Sequence, residues 1–266
     1  MSQTVKIDAG RLWSRLMELG AIGALPGGGV NRQALSDGEH LAWVKVISWA
    51  QEAGMEAESD AAANLFLTLP GLDRSLAPVV AGSHLDSQPT GGRFDGAFGV
   101  MAALETAVSL ANSAIVRARD FTVVAWMNEE GSRFAPGMMG SEAFAGLRDI
   151  AEIRATRDSG SVLAGAEIDR LHAAFPTLPL RIPFRPFVYV EPHIEQGQRL
   201  EREGAVIGVV SGIDGKITCE VTLTGKRDHA GTQPMDQRRD AVMAFARVAV
   251  RLQEEIGLHD PDIRFT

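Results

Sequence analysis

Residues 78–110 read PVVAGSHLDSQPTGGRFDGAFGVMAALETAVSL and contain three successive patterns. The apolar run at residues 78–82 predicts a short buried strand, and the apolar spacing of residues 97–110 predicts a helix. A strand followed by a helix is the repeating unit of α/β proteins, in which helices cover a sheet. The stretch therefore predicts an α/β fold, with a glycine-rich polar loop at the carboxyl end of a strand.

The neighbouring sequence continues this alternation. Ser36 and Glu39 form a capping-box pattern that begins a helix over residues 37–53, and Gly54 ends it. The pattern predicts further strands over residues 64–69, 121–126 and 188–190, and a further helix over residues 161–174. The run FTVVAW at residues 121–126 is apolar throughout, which is typical of a strand buried on both faces.

The character of the chain changes near residue 210. From Ile217, apolar residues that include Cys219 alternate with threonine and glutamate, which predicts a half-exposed antiparallel strand with a buried cysteine. An amphipathic helix is expected over residues 237–255. We therefore expect a first domain at residues 1–210 and the first part of a second domain at residues 211–266.

The composition excludes several classes of protein. Of 266 residues, 45% are hydrophobic and 23% charged, which is ordinary for a globular protein and unlike a disordered or fibrous one. The formal net charge is −8 and the basic residues are scattered, so nucleic acid is not expected as a partner. The N-terminus lacks the apolar core of a signal peptide, and no apolar run approaches about 18 residues. We expect a cytoplasmic protein without a membrane segment.

Side chains that bind metals or transfer protons lie in glycine-containing segments beside predicted strand ends. They are His84, Asp86, Asp95, Glu129, Glu130, His193, Gln196 and His229. Imidazole and carboxylate groups without thiolates are typical of sites for Zn²⁺, Mn²⁺ or Co²⁺. Of two adjacent carboxylates, one can bind a metal while the other accepts a proton from water.

Each candidate also has an ordinary structural interpretation. His84 could be a hydrogen-bonded structural histidine, although Asp86 could fix its tautomer as the partner of a metal-bound imidazole. Asp95 could cap the helix that follows it. Glu129 and Glu130 could form a solvated loop edge, His193 could begin an exposed helix, and His229 could be a turn residue.

Four segments resemble one family. HLDSQPTGGRFDG (84–96), NEEGSRF (128–134), EPHIEQG (191–197) and TGKRDHAGTQPMDQRRDA (224–241) are similar to motifs of the amidase/hydantoinase/carbamoylase branch of the M20 metallopeptidase-like family. That branch includes N-carbamoyl-L-amino acid hydrolases, allantoate amidohydrolases and β-ureidopropionases. The resemblance runs from about Leu19 to the end and includes GGVNR (28–32) and residues 60–66.

The resemblance implies a role for each matching residue. His84, Asp95 and His193 match the ligands of one divalent metal ion, while Asp95 as a bridge and Glu130 match ligands of a second. Glu129 matches the general acid/base, and Asp86 matches the partner of the first histidine. Gln196 matches a substrate contact, and His229 matches a histidine that stabilises the oxyanion in the neighbouring subunit. A cis peptide bond is implied between Asp95 and Gly96.

The resemblance also implies a fold and an activity. The expected fold is a mixed-sheet, phosphorylase/hydrolase-like catalytic domain with an inserted α+β lid domain through which a homodimer forms. The implied activity is hydrolysis of a linear amide or ureido C–N bond in a small molecule, such as an N-carbamoyl-L-amino acid or allantoate. Two divalent ions, Zn²⁺, Mn²⁺ or Co²⁺, are implied as cofactors.

The sequence departs from the family pattern at its C-terminal end. It stops at Thr266 within the segment that resembles the lid, and the family's last histidine ligand has no counterpart, because His259 does not match its motif. The second ion would then have only Asp95 and Glu130, so we expect a truncated chain that is inactive or impaired. The alternatives are an M20-type aminopeptidase or deacylase, and a non-catalytic metal-binding or oligomerisation fragment.

Overall fold

The computed structural model describes residues 4–213, 215, 217, 219–257 and 263. The chain divides into two compact units, Met1–Gly204 and Ala205–Thr266. This division lies a few residues before the boundary expected from the sequence. The catalytic and lid roles of the two parts stay predictions. His259 lies outside the described residues.

A mixed five-stranded sheet forms the centre of the first unit, in the order β1-β2-β4-β3-β5. Its strands are β1 (Glu56–Ser59), β2 (Leu65–Leu69), β3 (Val79–His84), β4 (Phe121–Trp126) and β5 (Val188–Val190). β2 pairs antiparallel with β1 and β4, whereas β3 pairs parallel with β4 and β5. The predicted α/β fold with a mixed sheet is confirmed.

Seven helices accompany this sheet in the described part of the first unit. They are α1 (Ala9–Gly20), α2 (Asp37–Glu52), α3 (Ala97–Ala111), α4 (Met139–Ala145), α5 (Ile150–Ala155), α6 (Ala164–Ala174) and α7 (Arg199–Glu203). α3 packs against β3, β4 and α1, and its buried residues join the main hydrophobic core. Because only Gly96 separates Asp95 from the first residue of α3, this packing holds that end of the loop against the sheet.

The beginning of α2 differs in one detail from the predicted capping box. Ser36 Oγ accepts a hydrogen bond from the Glu39 backbone N–H at 3.3 Å, as predicted. The buried Glu39 carboxylate, however, accepts from the backbone N–H of Leu35 at 2.5 Å. The helix therefore begins where the sequence predicts, but the Glu39 side chain binds the N–H of Leu35 rather than that of the N-cap residue Ser36.

The described residues of the second unit contain less regular structure than the sequence predicts. Its elements are a 3₁₀ turn (Met235–Gln237), α8 (Ala241–Leu252) and a π-helical turn (Gln253–Gly257). The described residues between 205 and 234 form no strand, and Cys219 is exposed. The expectation of a buried Cys219 is therefore wrong, because an apolar face is buried only when a strand pairs and packs against a neighbour.

Candidate metal centre

Three potential metal ligands converge at the carboxyl edge of the sheet. His84 ends β3, Asp95 immediately precedes Gly96 at the start of α3, and His193 follows β5. One ligand atom from each side chain lies within 4.8 Å of the other two. Because β3 and β5 run parallel, their carboxyl ends bring the two histidines to the same edge.

Both imidazole rings are oriented in the same way. Nδ1 of His84 donates to the backbone carbonyl oxygen of Asp86 at 2.9 Å, and Nδ1 of His193 donates to that of Ile194 at 2.8 Å. The ring centroids are 6.0 Å apart and the ring planes are inclined to each other by 30°. In a neutral imidazole a proton on Nδ1 leaves Nε2 as a lone-pair donor, which is the form that binds metals.

Asp95 provides the strongest indication that a cation fits here. Its Oδ2 accepts a hydrogen bond from Gln196 Nε2 at 2.7 Å, whereas its Oδ1 is buried without a hydrogen-bond partner. That Oδ1 lies 3.3 Å from Nε2 of His193. Two acceptor atoms this close repel each other unless a proton or a cation lies between or beside them. The donor set therefore fits a divalent ion that binds nitrogen and oxygen.

Asp95 does not act as a helix cap. The N-cap of α3 is Gly96, with φ 60°, and no side chain caps this helix. Among the described residues the cis peptide bond is Ala135–Pro136, so the prediction of a cis bond between Asp95 and Gly96 is wrong. The positive φ of Gly96 instead turns the chain from the loop into the helix. The Asp95 carboxylate is therefore free to face the two histidines.

Asp86 links His84 to the adjacent pair of glutamates. Its buried carboxylate accepts the backbone N–H of Glu129 through Oδ1 and that of Glu130 through Oδ2, both at 3.2 Å. Its Oδ1 also lies 3.5 Å from Nδ1 of His84. One carboxylate therefore sets the position of the histidine relative to the loop after β4.

Glu129 lies beside the cluster without belonging to it. Its Oε2 is 3.5 Å from Nε2 of His84, and 31% of its side chain is exposed. Burial raises the pKa of the Glu129 carboxyl, His84 opposes this shift, and the carboxylates of Asp86 and Glu130 add to it. Burial alone would lower the pKa of His84, but the Asp86 hydrogen bond and charge, together with Glu129, raise it to about 9. A cation at Nε2 would compete with that proton.

Glu130 lies outside the three-residue cluster. Gln88 Nε2 donates to its Oε2 at 2.7 Å, while its Oε1 is buried without a hydrogen-bond partner. A second cation held by Asp95 and Glu130 thus stays a prediction. Sequence reasoning missed Gln88, although it lies two residues after Asp86 in the same quoted loop.

Asn64 holds the loop that carries the glutamates, and sequence reasoning gave it no such role. Its Oδ1 accepts from the backbone N–H of Met127 at 2.9 Å, and its Nδ2 donates to the Gly140 carbonyl oxygen at 3.0 Å. The same Nδ2 donates to Asp60 Oδ2 at 2.8 Å. A buried amide with all these partners fixes the chain two residues before Glu129.

A second hydrogen-bond network holds β5, from which the chain continues to His193. The Tyr189 hydroxyl accepts from Trp126 Nε1 at 2.8 Å and donates to Glu191 Oε2 at 2.6 Å. Ser83 Oγ donates to Glu191 Oε1 at 2.6 Å. Side chains of β3, β4 and β5 are thereby connected next to the cluster.

His229 lies in the second unit and is exposed. Its Nδ1 accepts from the backbone N–H groups of Gly231 at 3.1 Å and Thr232 at 3.2 Å. The proton of a neutral ring must then be on Nε2. His229 therefore presents an N–H donor on its free side, which is the form that an oxyanion would require.

Replacement of Gly96 by alanine should weaken cation binding by at least about tenfold, the effect of disturbing groups that orient metal ligands. A methyl group at this position would lie 2.3 Å from Nε2 of His84 and would displace the ring. Gly146→Ala is a matched control, because Gly146 also has a positive φ, 70°, but its added methyl group meets no atom within 4 Å. Isothermal titration with Zn²⁺ or Mn²⁺ measures the difference, and equal dissociation constants for the two variants would contradict the prediction.

Comparison with known proteins finds similarity to one peptidase family and to several amidohydrolases. The sequence model of Peptidase family M28 matches residues 64–165. The chain is 40% identical over 249 residues to an N-carbamoyl-L-amino-acid amidohydrolase of Rhizobium meliloti, covering 93% of this chain and 59% of that protein. It is 36% identical over 238 residues to allantoate amidohydrolase of Escherichia coli strain K12, covering 86% of this chain and 56% of that protein.

A solved structure shows the same fold. The hydantoinase/carbamoylase family amidase of Burkholderia ambifaria superimposes with a TM-score of 0.79 at 39% sequence identity, over 97% of this chain and 63% of that one. The chain therefore spans about 60% of the length of the relatives that it matches. No helix in the described part of the chain is both long enough and apolar enough to cross a membrane.

Proposed function

Because the chain is a homologue of the hydantoinase/carbamoylase family amidases over nearly its whole length, we propose that its first unit holds a divalent cation for hydrolysis of a linear amide or ureido C–N bond. The observation that carries this proposal is the convergence of His84, Asp95 and His193. The unpartnered Oδ1 of Asp95 supports it, because a buried acceptor facing a second acceptor requires a cation or a proton.

Nε2 of both histidines and Oδ1 of Asp95 are the atoms that would hold the ion. When bound, a divalent cation supplies Lewis acidity, which polarises a carbonyl group and makes a water molecule more acidic at neutral pH. We propose a second ion held by Asp95 and Glu130, whose Oε1 is buried and unpartnered. Zn²⁺, Mn²⁺ and Co²⁺ all suit these ligands.

Glu129 is the proposed proton carrier. Its Oε2 takes a proton from the attacking water, whose oxygen forms a bond to the carbonyl carbon of the substrate. The same carboxyl group then delivers that proton to the leaving nitrogen as the C–N bond breaks. The position of Glu129 beside the cluster supports this role, since its carboxylate is close to His84 Nε2 but is not one of the three converging ligands.

Two residues are proposed to contact the substrate. Gln196, whose Nε2 donates to Asp95 Oδ2, retains its side-chain oxygen to accept a substrate N–H. The Nε2 proton of His229 would stabilise the negative charge on the carbonyl oxygen, and the loss of one such donor typically costs about 3 to 4 kcal/mol. In this proposal His229 acts in the site of a neighbouring subunit, in a homodimer formed through the second unit. A cytoplasmic location is part of the same proposal.

The substrate is proposed to be a small carbamoyl or ureido compound, such as an N-carbamoyl-L-amino acid or allantoate. The named relatives support this class of substrate. The M28 peptidase match favours the principal alternative, an aminopeptidase or deacylase that uses the same edge of the sheet. A non-catalytic metal-binding fragment would keep the three ligands but would have no use for the free carboxylate of Glu129.

A substrate panel tests these alternatives directly. The metal-depleted chain is supplied with Mn²⁺ or Zn²⁺ and assayed for ammonia release from N-carbamoyl-L-amino acids, allantoate and β-ureidopropionate, and for cleavage of dipeptides and N-acetyl amino acids. We expect metal-dependent hydrolysis of carbamoyl compounds only. Cleavage of dipeptides or acetyl compounds instead would support the alternative enzyme class. Comparison with an intact relative in the same assay tests the expected impairment.

A further inference from the structure

The segment GGVNR, residues 28–32, belongs to no element that holds a proposed ligand, yet it contacts two loops that do. One loop follows His84 and the other precedes Asp95. The spacing of these two side chains depends on how the two loops are held, because they are eleven positions apart in an irregular stretch. The contacts of residues 28–32 therefore bear directly on the geometry of the cluster.

The Arg32 side chain is hydrogen-bonded to the loop that follows His84. Arg32 is 1% exposed, and its Nε donates to the backbone carbonyl oxygen of Leu85 at 2.8 Å. Its Nη1 donates to the carbonyl oxygens of Leu19 at 2.9 Å and Ile22 at 3.1 Å, at the end of α1. Leu85 lies between His84 and Asp86, so the guanidinium group connects this loop to the end of a helix.

The Arg32 backbone holds the same loop a second time. Its N–H donates to Ser87 Oγ at 2.9 Å, and its carbonyl oxygen accepts from the Ser87 backbone N–H at 2.9 Å. Arg32 is thus hydrogen-bonded to both Leu85 and Ser87, the two neighbours of Asp86. Such a double attachment removes most of the freedom that a loop would otherwise have.

The preceding residues of the segment hold the second loop. Val30 and Gly91 exchange two backbone hydrogen bonds, at 2.9 Å and 3.0 Å. Arg93 donates to the Gly28 carbonyl oxygen through Nη2 at 2.8 Å and through Nε at 3.1 Å. Arg93 is two residues from Asp95, so the segment also restrains the approach to the second ligand.

We propose that Arg32 is a positioning residue which, through residues 28–32, sets the distance between His84 and Asp95 and thereby the affinity for the cation. This inference rests on the proposed metal centre. The side-chain donors of Arg32 go to three carbonyl oxygens, and a buried guanidinium with no carboxylate among its hydrogen-bond acceptors is costly unless its geometry is needed. Burial lowers the pKa of Arg32, and the charges of Glu39 and Asp86 oppose that shift.

The test compares two buried arginines. Arg32→Met keeps the apolar stem and removes the donors, while Arg32→Lys keeps a charge and some donors. Arg181→Met is the matched control: Arg181 is also largely buried, and it donates to Glu58 and Thr68 on strands β1 and β2. Three properties are measured for each chain: the dissociation constant for Zn²⁺, the visible absorption spectrum with Co²⁺, and the unfolding temperature without metal.

We expect the dissociation constant of Arg32→Met to rise by about 10- to 100-fold and its Co²⁺ spectrum to change, with Arg32→Lys intermediate. Arg181→Met should also lose thermal stability, but its dissociation constant should stay within about twofold of the wild-type value. A wild-type dissociation constant in Arg32→Met, or an equal rise in Arg181→Met, would overturn the inference. A wild-type chain that binds no cation would instead overturn the proposed function.

A second variant covers the case in which Arg32→Met does not fold. Arg93→Ala removes both hydrogen bonds to Gly28 at a partly exposed position, where the fold should tolerate the change. The dissociation constant for Zn²⁺ should rise several-fold, with little change in unfolding temperature. An unchanged constant would contradict the claim that residues 28–32 determine the ligand geometry.

Discussion

Replacement of Glu129 by glutamine should reduce hydrolysis of a carbamoyl substrate by about 10²- to 10⁴-fold, the usual contribution of a positioned proton carrier. Glutamine has the same shape as glutamate but cannot take a proton from water or deliver one to the leaving nitrogen. Cation binding should be nearly unchanged, because Glu129 is not one of the three converging ligands. The measurements are kcat with saturating metal and the dissociation constant for that metal.

Glu195→Gln is a suitable control for this experiment. Glu195 lies two residues after His193, and its carboxylate accepts the backbone N–H groups of Arg199 and Leu200 at 2.8 Å and 3.0 Å. Removal of this charge should leave kcat within about threefold of the wild-type value. If Glu129→Gln is as active as this control, Glu129 is not the proton carrier.

Replacement of His84 by alanine should abolish tight binding of the cation. Structural zinc sites contribute about 10–16 kcal/mol from about four ligands, so one ligand is worth about 3 kcal/mol, or on the order of a hundredfold in affinity. His84 is 1% exposed, so removal of its ring also leaves a buried cavity beside the remaining ligands. Isothermal titration with Zn²⁺ and Mn²⁺ measures the loss.

His172→Ala separates loss of a ligand from general damage to the fold. His172 lies on α6, contacts Ser59 Oγ at 3.2 Å and takes no part in the three-residue cluster. Its replacement should alter thermal stability but not the affinity for the cation. Equal affinities of His84→Ala and the wild-type chain would show that the cation, if it binds, uses other residues.

Local patterns predicted the elements of the sheet and its helices where the apolar signal was continuous. The run Phe121–Trp126 forms β4 with the predicted ends, because a short run rich in β-branched and aromatic residues favours a strand buried on both faces. β1, Glu56–Ser59, was not predicted, since its sequence EAES has weak strand preference and the strand depends on pairing with β2. The strand expected after residue 216 failed for the related reason that no described neighbour pairs with it.

The candidate site was predictable in its residue types but not in its supporting contacts. His84 and Asp86 are close in sequence, so a link between them could be foreseen, yet the shorter contact of Nδ1 is with the Asp86 carbonyl oxygen rather than its carboxylate. Arg32 and Leu85 are separated by 53 positions, and Asn64 and Met127 by 63. Periodicity describes only local structure, so contacts between such distant residues cannot be read from it.

The most direct test of the metal centre is the location of a bound ion by anomalous X-ray scattering from crystals of the chain grown with Zn²⁺. We predict an anomalous peak about 2.0–2.2 Å from Nε2 of His84, Nε2 of His193 and a carboxylate oxygen of Asp95. Crystals with Zn²⁺ bound only at other positions, or with these three side chains turned away from one another, would contradict the proposed metal centre.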